Sequence, residues 1–121
     1  MSTSILLIPE SPNWQFPVDQ AVRLVLATWP TATAHRLPTG PYDFRIEVPD
    51  RSMDIRVGRG SISMSPGPTA DDCAVVAHRL VRGLGAPTRF HYMDSGNNHA
   101  LLVDQRTPLS TFTELSSAGP L

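Results

Sequence analysis

Tyr42-Asp43-Phe44-Arg45-Ile46-Glu47-Val48, Pro49-Asp50-Arg51-Ser52, Met53-Asp54-Ile55-Arg56-Val57, Gly58-Arg59-Gly60, Ser61-Ile62-Ser63-Met64-Ser65: in this stretch three short runs alternate apolar and polar residues, and two turn signals part them. Alternation at period two gives a strand one apolar and one polar face, so the stretch predicts a three-stranded antiparallel meander. Tyr42, Phe44, Ile46 and Val48 share a face, and Met53, Ile55 and Val57 must join them. Two registers satisfy this. One sets Arg45 opposite Arg56 and Glu47 opposite Asp54, two like-charge pairs. The other slides by two residues and sets Glu47 opposite Arg56. Directly opposed charges favour the second, or a bulge near residues 49–52 that shifts between the two. Arg59-Gly60 reads as a two-residue loop, which pairs Val57 with Ile62 and Ile55 with Met64.

The flanking segments read as cover for the apolar face. Ile5-Leu6-Leu7-Ile8, within residues 4–8, is a continuous apolar run stopped by Pro9, a strand expected to be central or covered on both sides. Residues 17–29 form a helix with Pro17 in its first turn, where a missing N–H costs nothing, and Val18, Ala21, Val22, Val25, Leu26 and Trp29 along one stripe. Residues 32–37 fit a short edge strand. A second helix opens at Thr69, with Asp72 as the acidic partner of a capping box. It buries Cys73, Val76, Ala77, Leu80 and Leu84, with Val81 at the margin, and ends at Gly85 ahead of Pro87. Residues 89–94 and 99–104 form a hairpin that pairs Tyr92 with Leu101, Phe90 with Val103, Asp94 with His99 and Arg89 with Asp104. Thr107-Pro108 starts a short helix through Leu115, with Phe112 and Leu115 docking.

The expected fold is therefore α+β: one domain over residues 1–115, a mostly antiparallel sheet in the order β-α-β-β-β-α-β-β-α with two long helices on one face, and a flexible tail over 116–121. A chain of 121 residues can bury one modest core without metals or disulfides. The 40% hydrophobic content against 17% charged marks a globular chain. A net charge of −1 gives no electrostatic reason for a nucleic-acid or anionic-membrane partner. All ten basic residues are Arg, whose planar fork suits carboxylate pairing. Cys73 is the only cysteine, which excludes an intramolecular disulfide and fits a reducing compartment. With no positive n-region before the first apolar run, and no membrane-length stretch, the expectation is a cytoplasmic protein.

Few residues carry chemistry. Asp94 and His99 flank the hairpin tip, where a carboxylate can hold an imidazole as a general base. The same pair also serves merely to fasten a turn. Ser95 adjoins Asp94, so the two side chains diverge and do not make a triad. His91 lies on the opposite face from Asp94 and His99, which leaves too few convergent ligands for zinc, so no metal and no cofactor is expected. His78, on the exposed side of the second helix, and His35, in the connector, read as solvated. Cys73 lies in a helix first turn that favours thiolate, but on the apolar stripe, where a core thiol is expected. Gly58-Arg59-Gly60 joins two strands rather than a strand and a helix, so it is a hairpin and not a phosphate loop. There remains the polar face of the meander, with Asp43, Arg45, Glu47, Arg56 and Ser63. Acids interleave with its Arg residues and aromatics are missing, which argues against nucleic acid. It suits either solvent or a charge-matched protein partner.

Four landmarks, Val25-Leu-Ala-Thr-Trp-Pro30, Ala70-Asp-Asp-Cys-Ala-Val-Val-Ala-His-Arg-Leu80, Tyr92-Met-Asp-Ser-Gly96 and Thr107-Pro-Leu-Ser-Thr-Phe-Thr-Glu-Leu115, resemble small single-domain proteins of high-GC Gram-positive bacteria, among them immunity proteins of polymorphic toxin systems. The resemblance implies a non-enzymatic protein that binds and blocks a partner toxin, and carries no residue set with it. The functional expectation is a binding module of immunity or chaperone type. The alternative is a small hydrolase or isomerase that uses Asp94 and His99 at a hairpin-end cleft. A homodimer formed through an exposed edge strand is a further expectation.

Overall fold

A computed structural model describes residues 4–51, 53–65, 71–94 and 100–117. The chain runs β1 (Ile5–Pro9), α1 (Val18–Thr28), β2 (Thr33–Arg36), β3 (Phe44–Val48), a 3-10 turn (Pro49–Arg51), β4 (Met53–Val57), β5 (Ile62–Ser65), α2 (Asp71–Leu84), β6 (Phe90–Asp94), β7 (Ala100–Val103) and α3 (Leu109–Ser117). The seven strands form one antiparallel sheet in the order β2-β3-β4-β5-β1-β6-β7. β1 is the keystone: it enters between the meander and the C-terminal hairpin and joins them. Residues 33–36 do form the edge strand that the connector predicts.

The core lies between the inner face of the sheet and the helices. Strand residues Ile5, Leu7, Ile46, Val48, Met53, Ile55, Val57, Ile62, Met64, Phe90, Tyr92 and Val103 point into it, and Val25, Leu80 and Phe112 meet them from α1, α2 and α3. α2 packs on both α1 and α3. Each buried side chain of this size contributes roughly 1.5–3 kcal/mol. Trp14, Phe16 and Phe90 close one end of the core, with Trp14 edge-on to both others. α1 starts after Pro17, and α2 ends at Gly85, whose φ of +58° suits a residue with no Cβ. Within α2 the margin residue is Leu84, half-buried, whereas Val81 belongs to the core. The capping box at Thr69 lies outside the described residues.

The register of β3 with β4 corrects the expectation from the sequence. Ile46 faces Ile55, Val48 faces Met53 and Phe44 faces Val57, so Arg45 does face Arg56 and Glu47 does face Asp54. The favoured alternative would have carried Met53 into the turn and set Phe44 against Arg59. Matched burial of three apolar pairs outweighs charge pairs at an exposed surface, which are worth about 0–1 kcal/mol each. No bulge is needed: the 3-10 turn supplies the connection. The β4–β5 register pairs Val57 with Ile62 and Ile55 with Met64, and β6–β7 pairs Phe90 with Val103 and Tyr92 with Leu101, as expected.

Three smaller differences follow from tertiary contacts. Arg89 does not pair with Asp104. Its guanidinium grips Glu10 through two bonds of 3.0 and 3.2 Å, which ties the end of β1 to the start of β6. Asp104 instead accepts from the Arg106 N–H and folds the turn into α3. α3 continues through Ser117, so the first residues of the expected tail are helical, and Phe112 docks fully. The side chain of Leu115, expected to dock beside it, lies outside what the structure describes. His78 is not solvated, for its ring is half-buried edge-on against Phe112, because α3 covers that side of α2.

Candidate protein-binding face

Among the described residues all helices lie on one side of the sheet and none covers the other. Along β3, β4 and β5 the residues alternating with the core positions present Arg45, Glu47, Asp54, Arg56, Ser63 and Ser65 to it. Cross-strand register aligns them in rows. His35 faces Arg45, Arg45 faces Arg56, Arg56 faces Ser63, Ser63 faces Leu6, Leu6 faces Met93 and Met93 faces Ala100. On one side of this row lies a second, Thr33–Glu47–Asp54–Ser65. On the other side lies a third, Ile8–His91–Leu102.

The face is thus divided. Its β2–β4 half is charged and its β1–β6–β7 half is largely apolar, with Leu6, Ile8 and Met93 half-buried and Leu102 44% exposed. Sequence reasoning finds the charged half and misses the apolar one. The signal is present in the unbroken run Ile5–Ile8: a strand apolar on both sides, beside a one-sided sheet, must show apolar residues on the open side.

The charges are held in fixed positions. Arg45 Nη2 lies 3.2 Å from Asp54 Oδ2, and Nη1 lies 3.7 Å from Glu47 Oε1. His35 Nε2 lies 3.8 Å from the same Glu47 oxygen. So one Arg spans two carboxylates, one of them diagonally across the strand pair, while Arg56 is exposed with no carboxylate within ion-pair distance among the described residues. A shallow trough of about 430 Å³ runs beside it, lined by Ser4, Arg45, Asp54, Arg56, Ser63 and Ser65. Of the residues proposed from the sequence, Arg45, Glu47, Arg56 and Ser63 share this face. Asp43 lies at the margin of the same face, where it lines a second hollow of about 260 Å³ with Arg56 and Ser63. It precedes β3 and accepts from Thr39 Oγ1 at 2.8 Å, closing the turn between β2 and β3.

The catalytic candidates fall elsewhere. Asp94 faces Ile5 and shares the helix side of the sheet with Tyr92, away from the open face, and His91 points the other way. His99 and the hairpin tip lie outside the described residues. Cys73 is fully buried with its Sγ 3.7 Å from Met53 Sδ, and burial, with the Asp72 charge second, pushes its thiol up to about 12. That is a core thiol, not a nucleophile. Among the described residues no three His, Cys, Asp or Glu side chains converge to hold a metal, and no helix is long and apolar enough to cross a membrane. No protein family, no curated protein and no solved structure matches this chain.

Proposed function

We propose that this protein is a cytoplasmic, non-enzymatic binding module of immunity or chaperone type, and that it acts by covering a partner protein with the open face of its sheet. One observation carries this reading: a seven-stranded surface that no helix covers on one side among the described residues sets an apolar stripe beside paired charges. Apolar area with a polar border is the composition of protein interfaces, and locked charges give specificity and register. The sheet supplies the rigidity, so binding would order little backbone. A toxin encoded nearby is the partner class that the resemblance in the sequence implies.

The test is recovery of a partner from the native host, with the tagged protein expressed beside its neighbouring genes, followed by the same capture with Leu102→Asp and Arg56→Glu. The reading expects one protein to be retained at stoichiometric level and lost in both variants. Retention undiminished by either change would place binding elsewhere on the molecule, and recovery of no partner would remove the reading's support.

A further inference from the structure

We infer that, when no other protein occupies it, the open face of the sheet is covered by the same face of a second copy of this chain. The inference rests on the reading of that face as a protein interface and names its resting occupant. Arg45 and Arg56 form one row and Glu47 and Asp54 form the next, so positive and negative lie in parallel lines across the strands. A partner of uniform charge would meet as much repulsion as attraction. A surface that fits must itself carry adjacent rows of opposite sign, and this chain is such a surface.

Two-fold symmetry makes the match complete. An axis lying across the strands sets each strand over its own copy, so the charged half meets the charged half and the apolar half meets the apolar half. Passing between the two charged rows, it places Arg56 over the second copy's Asp54 position and Arg45 over its Glu47 position. Aligned sheets cross at about 30°, so the axis is oblique to the strands. Under β1 and β6 it runs close to the Leu6–Met93 row and brings the apolar side chains of that row against those of the second copy. The product is a four-layer helix–sheet–sheet–helix dimer in which Arg56 gains a carboxylate. Seven strands of four or five residues make a footprint on the order of 500 Å² per copy. A standard stable interface needs about 800 Å² per partner, so the dimer belongs to the weak, exchangeable class that a specific partner can displace.

Sedimentation equilibrium of the purified protein alone, over roughly 1–500 µM, tests this. The expected result is a reversible monomer–dimer equilibrium in the micromolar range. Arg56→Glu and Asp54→Arg should each raise the dissociation constant at least about tenfold. An equimolar mixture of the two variants should dimerise again. Across the axis, the carboxylate introduced at position 56 of one copy then meets the guanidinium introduced at position 54 of the other, and the native Asp54 of the first meets the native Arg56 of the second. Leu102→Asp, at an exposed position that the fold tolerates, should weaken the dimer independently. Circular dichroism confirms that each variant is folded. A chain monomeric throughout overturns the inference but leaves partner capture standing. A dimer indifferent to all three changes also overturns it, and assigns self-association to another surface such as the β7 edge.

Discussion

Arg45 reaches diagonally across the strand pair to Asp54, at 3.2 Å, rather than to the residue directly opposite it. That diagonal makes a like-charge register tolerable. In the direct rows, Arg45 faces Arg56 and Glu47 faces Asp54. Diagonal neighbours on a sheet lie within reach of a long side chain, and Arg carries a fork that can serve two carboxylates at once. The register is dictated by the core, and the surface charges then find the best arrangement left to them.

Arg45 and Arg56 therefore differ in what their removal does. Arg45→Ala leaves Glu47 opposite Asp54 with no cation between them, and should lower stability by about 0.5–1 kcal/mol, the upper part of the range for exposed pairs. Arg56→Ala relieves a like-charge pair, and should be neutral or slightly stabilising. Urea unfolding of monomeric protein at low salt and at high salt, about 0.5 M, checks both, with the Arg45 effect shrinking as screening sets in. Equal losses in the two variants would contradict the diagonal pairing.

Two glycines at the end of α2 make an opposed pair of predictions. Gly85 has open space around it but a φ of +58°, so Gly85→Ala should cost about 1 kcal/mol through the backbone alone. Gly83 is helical, and a Cβ there would come within 2.9 Å of the Leu24 methyls. Those are the mobile ends of a half-buried side chain, and replacing Gly by Ala inside a helix gains roughly 1 kcal/mol. Gly83→Ala should thus lie within about 0.5 kcal/mol of the parent. Thermal melts of the two variants side by side decide this. A larger loss from Gly83→Ala than from Gly85→Ala would show that α1 and α2 cannot yield at Leu24.

The thiol of Cys73 should be silent in the native protein. Its place in the first turn of α2 would favour thiolate, but full burial dominates and the Asp72 charge adds to it, so the thiol is held at about 12. In mildly alkaline buffer, a disulfide reagent such as Ellman's should titrate no thiol over minutes in the native protein and one equivalent in concentrated guanidinium. Rapid native labelling would mean that the α2–β4 contact through Met53 opens readily.

What is legible in the sequence and what is not divides by range of interaction. The meander, both long helices and the hairpin register follow from local periodicity and turn residues, as in the pairing of Tyr92 with Leu101. Weighing charge above apolar pairing picks the wrong β3–β4 register, because Ile46, Ile55 and their neighbours carry several times the energy of Arg45 and Glu47. The inner place of β1 is signalled by its unbroken apolar run Ile5–Ile8, but that its neighbours are β5 and β6 has no local signature. The apolar stripe is therefore only partly legible: the run Ile5–Ile8 announces Leu6, whereas Met93 and Leu102 join it only through the topology. Spacing assigns Asp43 to the open face, and it does line a hollow there with Arg56 and Ser63, but its bond to Thr39 in the preceding turn has no signal in the spacing.

His78 reads as solvated from its helical position, and its actual place makes it the group that should give the protein a pH dependence near neutrality. Its Nε2 is enclosed with no hydrogen-bond partner among the described residues, and the ring stands edge-on to Phe112 with centroids 5.5 Å apart. Burial disfavours the charged imidazolium, and Arg82 and Arg79 on the same helix oppose it further, so the folded-state pKa lies below the ordinary 6.5. In the unfolded chain that arrangement is lost and the histidine titrates near its ordinary value. Between the two values the unfolded state holds more protons than the folded one, so stability falls as pH falls from about 6.5 through the lowered pKa. Above that window the term vanishes, and below it the loss is complete and constant. His78→Gln cannot titrate, and the difference in stability between parent and variant should change as pH falls below about 6.5, in the direction of a parent that weakens in acid. Urea midpoints at closely spaced pH steps supply the comparison, and subtracting the variant cancels the other histidines and the carboxylates. Parallel pH profiles for the two proteins would show that the imidazole is already hydrated in the folded state, and that α3 does not seal the helix face through Phe112.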